Sequence, residues 1–145
     1  ARQTMFELLN PRCSGPIYEL GSGWGGVALA AARRYPECQV YGIELSPVPL
    51  LYSKIMARLL GLENIRFQRT DFMQVPLHEA GLVLCYLYPA CMALLSEKLT
   101  LELKHGTPVI SNTFRLPGWQ PQAMRELPDL HRTRVYRYSK GEEPN

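Results

Sequence analysis

A chain of 145 residues with 46% hydrophobic and 20% charged side chains is long enough to bury one core and too balanced to stay disordered. No apolar run reaches the ~20 residues that cross a bilayer, and residues 1–10 lack the charged-then-apolar order of a secretory leader, so one soluble, cytoplasmic domain over residues 1–145 is expected. The first residue is Ala, not Met, which leaves room for an upstream segment. The net charge of +3, with Arg115, Arg125, Arg132, Arg134 and Arg137 in the last third, is too small to make nucleic acid the expected partner and does not exclude it. Cys13, Cys38, Cys85 and Cys91 show no C-x-x-C spacing, and His78, His105 and His131 stand apart. Free thiols in a reducing compartment and no metal site follow.

Short β-rich runs alternate with longer helical patterns, as in a parallel sheet covered by helices, so an α/β doubly wound fold is predicted. The first strand is Ile17–Leu20, entered from a turn at residues 11–16. A helix from about Gly25 through Val27, Leu29 and Arg33 stops before Pro36, which cannot continue it. The second strand covers residues 39–44. Ser46 then suits an N-cap and Pro47 a first helical residue, opening a helix whose Leu51, Ile55 and Leu59 share one face, with Gly61 at its C-terminal cap.

The third strand, Ile65–Gln68, is half polar and reads as an edge. The fourth, residues 81–86, is apolar almost throughout and reads as central. A helix over residues 90–104 stacks Leu95, Leu99 and Leu103 and ends at Gly106. The fifth strand is residues 107–111, an irregular stretch covers 116–128, and a last, antiparallel strand covers 130–138, with a frayed tail at 140–145. Right-handed crossovers place every loop that follows a parallel strand on one sheet edge, where ligand chemistry is expected.

The densest signal is the run Glu19-Leu20-Gly21-Ser22-Gly23-Trp24-Gly25-Gly26, at the end of the first strand and the start of the first helix. Gly21, Gly23 and Gly26 satisfy the G-x-G-x-x-G of dinucleotide binders, in which a pyrophosphate rests on a helix N-terminus. Glu19, two residues before the first glycine, opposes a bound anion and favours a ligand carrying an ammonium or sulfonium. A dehydrogenase would also need a further region to hold its substrate. A nucleotide-binding module without transfer activity remains open at this point.

The run E-L-G-S-G-W-G resembles the first motif of class I S-adenosylmethionine-dependent methyltransferases, D/E-x-G-x-G-x-G, and the resemblance extends over residues 6–138. Within that superfamily the chain is most similar to the small bacterial and mitochondrial lysine methyltransferases of the adenine nucleotide translocase and ATP synthase c-subunit type. The stretches that carry this are L-A-A-A after the glycines, G-I-E-L-S-P-V-P-L-L-Y-S-K at the second strand and F-R-L-P-G-W after the fifth.

The resemblance implies a Rossmann-like fold that binds S-adenosylmethionine and releases S-adenosylhomocysteine. It assigns Glu19 and the backbone of Gly21 and Gly23 to the methionine end, Glu44 to the ribose hydroxyls, Asp71 to the adenine amino group and Phe72 to the adenine ring. Ser22, Gly25 and Leu45 complete the cofactor set. The acceptor would enter beside Tyr86-Leu87-Tyr88-Pro89, which departs from the N/D-P-P-Y of enzymes acting on amide or base nitrogens. Tyr86 or Tyr88 would meet the amine as catalytic groups, Pro89, Phe114 and Trp119 would wall its channel, and Arg115 would steer an anionic surface. The implied reaction is methyl transfer to a protein lysine. An RNA or small-molecule acceptor is the alternative, and the oligomeric state is left open.

Overall fold

The computed structural model describes Phe6 and residues 13–141. One sheet holds seven strands: β1 (Ile17–Leu20), β2 (Val40–Ile43), β3 (Ile65–Gln68), β4 (Leu82–Cys85), β5 (Pro108–Asn112), β6 (Ala123–Glu126) and β7 (Arg134–Ser139). Their order is β3-β2-β1-β4-β5-β7-β6. The five strands β1 to β5 run parallel, and β7 lies antiparallel between β5 and β6. Among the described residues the helices α1 (Gly26–Arg34), α2 (Pro47–Leu59) and α3 (Pro89–Glu102) fill three of the four parallel crossovers, and a short 3₁₀ turn over Phe72–Gln74 lies in the fourth. The doubly wound α/β prediction holds.

Period-two alternation sends side chains of each strand to two opposite cores. On one face Ile17, Val40, Leu82 and Leu84 meet Ala28, Leu29, Ala31 and Ala32 of α1 and Leu50 and Ala57 of α2. On the other, Leu20, Val83, Cys85 and Val109 meet Met92, Leu95 and Leu99 of α3. All four residues of β4 are buried, as a central strand covered on both faces requires. Each fully buried leucine contributes about 1.5–3 kcal/mol by leaving water, so Leu95 and Leu99 anchor α3 firmly.

Three expectations change, and the structure decides one orientation that the sequence left open. Leu51, Ile55 and Leu59 share a face of α2 as expected, and that face points outward; the helix packs through Leu50, Ser53 and Ala57, the last two small enough to let it approach the sheet. Ser46 precedes α2 as expected, yet its side chain makes no capping bond. The stretch expected to be irregular contains β6, whose sequence A-M-R-E has no strand signature and pairs only because β7 offers it an edge. The last strand begins at Arg134, because Asp129 accepts from both the backbone N–H and the hydroxyl of Thr133 and closes a turn over residues 129–133.

The tail is tied down further than expected. The Lys140 carbonyl accepts from Gly106 N–H and its N–H donates to the Thr107 carbonyl. The remaining tail, residues 142–145, and residues 11 and 12 of the expected first turn lie outside the described residues. Among the described residues no helix is long and apolar enough to cross a membrane.

Candidate active site

Strand order reverses between β1 and β4, where α1 leaves to one face and α3 to the other. A crevice opens at such a point beyond the carboxyl ends of the strands. Here it is a cleft of about 570 Å³, within the ~300–1,000 Å³ typical of small-molecule sites. Its floor is the turn at Gly21 to Gly23. Gly21 N–H and Ser22 N–H both donate to the Ile43 carbonyl, at 3.0 and 2.9 Å, which pins the turn to the end of β2.

Two glycines in that turn face different surroundings. Gly21 has φ +76°, and a Cβ there would lie 2.7 Å from Leu87 Cδ2 and 3.0 Å from the Tyr86 carbonyl. Gly23 has φ +53°, and a Cβ there would meet nothing within 4 Å. Gly21→Ala is therefore expected to lower stability by about 2–3 kcal/mol through strain and clash together. Gly23→Ala should cost only about 1 kcal/mol in folding. It should still weaken a ligand that lies on the turn; differential scanning calorimetry and calorimetric titration separate the two effects.

Carboxylates gather on the β2–β3 side. Glu44 follows β2, and its Oε2 accepts from Gly23 N–H at 3.4 Å, so the acid sits directly at the turn. Asp71, past β3, caps a short 3₁₀ turn over Phe72–Gln74, with Oδ1 accepting from Met73 N–H at 3.0 Å. Glu44, Leu45, Asp71 and Phe72 all line the cleft. The opposite wall is aromatic: Tyr86 lies nearly parallel to Phe114, with ring centroids 6.4 Å apart and 14° between planes, and Tyr88 stands beside them at the start of α3.

The remaining expected residues lie elsewhere. Glu19 is buried in β1, in register with Gly42 and Leu84, and does not line the cleft. Ser22 is buried in the turn, Gly25 caps α1 and Pro89 opens α3, all behind the cleft surface. Trp119 does not line the cleft. Its ring packs edge-on against Tyr138 at 6.2 Å and its Nε1 donates to Thr100 Oγ1 at 3.2 Å, so the long loop carries it onto α3 and β7 rather than to the acceptor wall. Arg115 stacks its guanidinium over the Tyr136 ring at 5.2 Å instead of reaching the mouth.

Sequence reasoning missed two devices that hold the site. The Ser53 hydroxyl, wholly buried, donates to the Pro49 carbonyl at 2.9 Å and lies 3.4 Å from the Gly23 carbonyl, tying α2 to the glycine turn. A hydroxyl on the inward strip of a helix was its one available signal. The second is a clamp on the segment that carries Phe72 and Met73. Lys98 Nζ contacts Glu102 Oε2 at 2.6 Å and the Met73 carbonyl at 3.4 Å, while Glu102 Oε1 accepts from Leu77 N–H at 2.9 Å. Burial pushes the Glu102 carboxyl up, but the bonds from Lys98 and Leu77 and the Lys98 charge together hold it below its ordinary value.

All four cysteines are free, and burial pushes the Cys85 thiol up to about 12, so it is protonated and inert. Among the described residues no group of His, Cys, Asp and Glu is placed to hold a metal.

The model of the ANTKMT methyltransferase domain matches residues 19–123 of this sequence. The chain belongs to that family. The ANTKMT relatives include the adenine nucleotide translocase lysine N-methyltransferase of Mus musculus, 33% identical over 126 residues, covering 84% of this chain and 53% of that enzyme. A protein-lysine N-methyltransferase of Saccharolobus islandicus is 28% identical over 146 residues, covering 95% of this chain and 87% of the relative. The chain thus spans about half the length of the mouse enzyme and most of the archaeal one. Among solved structures, an RNA methyltransferase from Salinibacter ruber in complex with S-adenosyl-L-homocysteine superposes with a TM-score of 0.88 at 30% identity, over 99% of this chain and 92% of that one. The matched ANTKMT segment contains the glycine turn, both cleft carboxylates and the Tyr86–Phe114 wall.

Proposed function

We propose that this chain is an S-adenosylmethionine-dependent methyltransferase acting on a protein lysine amine, in the reducing cytoplasm. The observation that carries the reading is the pair of carboxylates, Glu44 and Asp71, facing one cleft across from the Tyr86–Phe114 wall. Glu44 suits ribose hydroxyls, and Glu19 buried beneath the glycine turn opposes a pyrophosphate and suits a nucleoside that bears a positive charge. The donor set therefore fits S-adenosylmethionine, and the size and mostly apolar lining of the cleft fit a nucleoside.

In this reading Glu44 holds the ribose hydroxyls, since one carboxylate accepts two bonds. Asp71 accepts from the adenine amino group and Phe72 covers its ring. Glu19 contributes negative potential from below the methionine end, with Gly21 and Gly23 offering backbone. When bound, S-adenosylmethionine supplies a methyl group already activated by its sulfonium. The protein's share is alignment and the exclusion of water. A lysine side chain slotted beside Tyr86 and Phe114 loses hydration there, which lowers its pKa and favours the neutral amine that attacks; its proton leaves to solvent.

The relatives' lysine specificity and the absence of an N/D-P-P-Y motif at Tyr86 to Pro89 support a lysine acceptor. The RNA acceptor of the Salinibacter ruber neighbour, together with Arg134 and Arg137 on β7, favours RNA as the second reading. Incubation with host lysate and methyl-labelled S-adenosylmethionine should give label that protease removes and nuclease leaves. Label removed by nuclease alone rejects the protein acceptor. In a thermal shift, S-adenosylhomocysteine should stabilise the fold and NAD should not, because only a ligand of the folded state raises its melting point.

A further inference from the structure

Helix α2 carries its more hydrophobic side outward. The 3.6-residue repeat sorts it into strips, and a surface helix ordinarily turns its apolar strip to the core. Here the inward strip is Leu50, Ser53 and Ala57. The outward strip is Val48, Leu51, Tyr52, Ile55 and Leu59, entirely apolar or aromatic and 46–75% exposed. Trp24, 57% exposed, stands edge-on to Tyr52 at 5.3 Å and carries the apolar surface across to α1. Between the two helices runs a groove of about 540 Å³, with Arg33 on its wall.

Cations border this surface on both sides. Arg33 lies on the α1 side, and Lys54, Arg58 and Arg66 line a second groove on the β3 side. Residues 24–35 and 46–62 contain Arg33, Arg34, Lys54 and Arg58 and no Asp or Glu at all. An apolar strip with a Trp and a Tyr, bordered by basic residues, has the chemistry of an element that lies in a membrane interface, with rings and aliphatic chains in the acyl boundary and cations at anionic headgroups. A second copy of the chain fits less well: two-fold pairing on this strip would set Lys54 and Arg58 against another basic border with no acid on either helix to meet them.

We propose that the outward strip of α2, with Trp24, docks the protein on an anionic lipid surface without crossing it. The strip begins two residues after Ser46, which lines the cleft together with the exposed Leu45. Docking therefore brings the mouth of the cleft beside the lipid headgroups. The inference goes beyond the methyl-transfer reading and is tested without it.

The test is co-sedimentation with vesicles of phosphatidylcholine containing about a third phosphatidylserine, against phosphatidylcholine alone. The chain should partition onto the anionic vesicles and leave them as salt is raised. Lys54→Gln with Arg58→Gln should weaken partition roughly 25-fold, about fivefold for each cation. Leu51→Ser, Ile55→Ser and Leu59→Ser together should abolish it while circular dichroism and the melting point stay unchanged, since all three side chains are exposed. If the triple variant folds poorly, Leu59→Ser alone and the Lys54/Arg58 pair decide the matter. The proposal fails if the protein ignores anionic vesicles, or if the serine variant binds them as well as the parent. A concentration-dependent dimer in sedimentation velocity, lost in the serine variant and unaccompanied by vesicle binding, would assign the face to a second copy instead.

Discussion

Replacing Glu44 with Ala should cut the affinity for S-adenosylhomocysteine by roughly 100-fold, about 3 kcal/mol, while leaving the melting point within a few degrees of the parent. The figure follows from losing two hydrogen bonds to a charged acceptor at about 1.5 kcal/mol each. Folding is spared because the only side-chain bond of Glu44 among the described residues is the long one from Gly23 N–H, while its backbone N–H, untouched by the change, keeps its bond to the Gln68 carbonyl. Isothermal titration with the parent and the Ala variant measures the affinity, and calorimetric melting measures the stability. Glu44→Gln should fall between the two, since it keeps one acceptor and loses the charge. An affinity unchanged in Glu44→Ala would remove the ribose from this position and with it the cofactor orientation proposed above.

Lys98→Met is expected to be the most damaging single change to the fold near the site. It leaves Glu102 mostly covered by protein and without its cation, and it releases the Met73 carbonyl. Removal of one partner from a fully buried pair costs about 3–5 kcal/mol, and the partial exposure of Glu102 brings this to about 2 kcal/mol, a fall of roughly 6 °C in melting point for a chain of this size. Because the clamp holds the segment that carries Phe72, affinity for S-adenosylhomocysteine should fall as well. A second change, Glu102→Gln, retains the acceptor for Leu77 N–H and should recover about half of the lost stability.

The pH dependence has a definite sign. Glu102 is held below its ordinary value of 4.5 in the folded state, so its contribution is complete above that value and disappears as pH falls through the folded-state pKa. The stability gap between parent and Lys98→Met should therefore be constant near neutrality and narrow below about pH 4.5. Denaturant unfolding of both proteins across that range checks it; a gap that persists to strong acid would show that packing, not the ion pair, holds the segment.

The local signals in the chain determined a good deal. The run of glycines after an apolar strand demands a tight turn into a helix, and β1 and β3 have the bounds that their composition implies. The all-apolar run at β4 marks a central strand, and the Leu95, Leu99 and Leu103 spacing sets the three side chains on one side of their helix. Glu44 and Asp71 were legible because the end of a parallel strand fixes the sheet edge on which a residue must lie, whatever the helices do.

Tertiary structure alone decided the remainder, because periodicity reports spacing along the chain and not what covers a face. Two strips of α2 satisfy the same helical repeat; contact with the sheet selects the one with Ser53 and Ala57 and turns the leucines out. Trp119 sits in a loop whose path no local rule constrains, so only the available partners, Tyr138 and Thr100, fix where its ring goes. The strand β6 exists because β7 presents an open edge, and Lys98 reaches the Met73 carbonyl and Glu102 the Leu77 N–H only when α3 has packed across the sheet. Such interactions join residues far apart in sequence, and their energy belongs to the folded arrangement rather than to any segment of it.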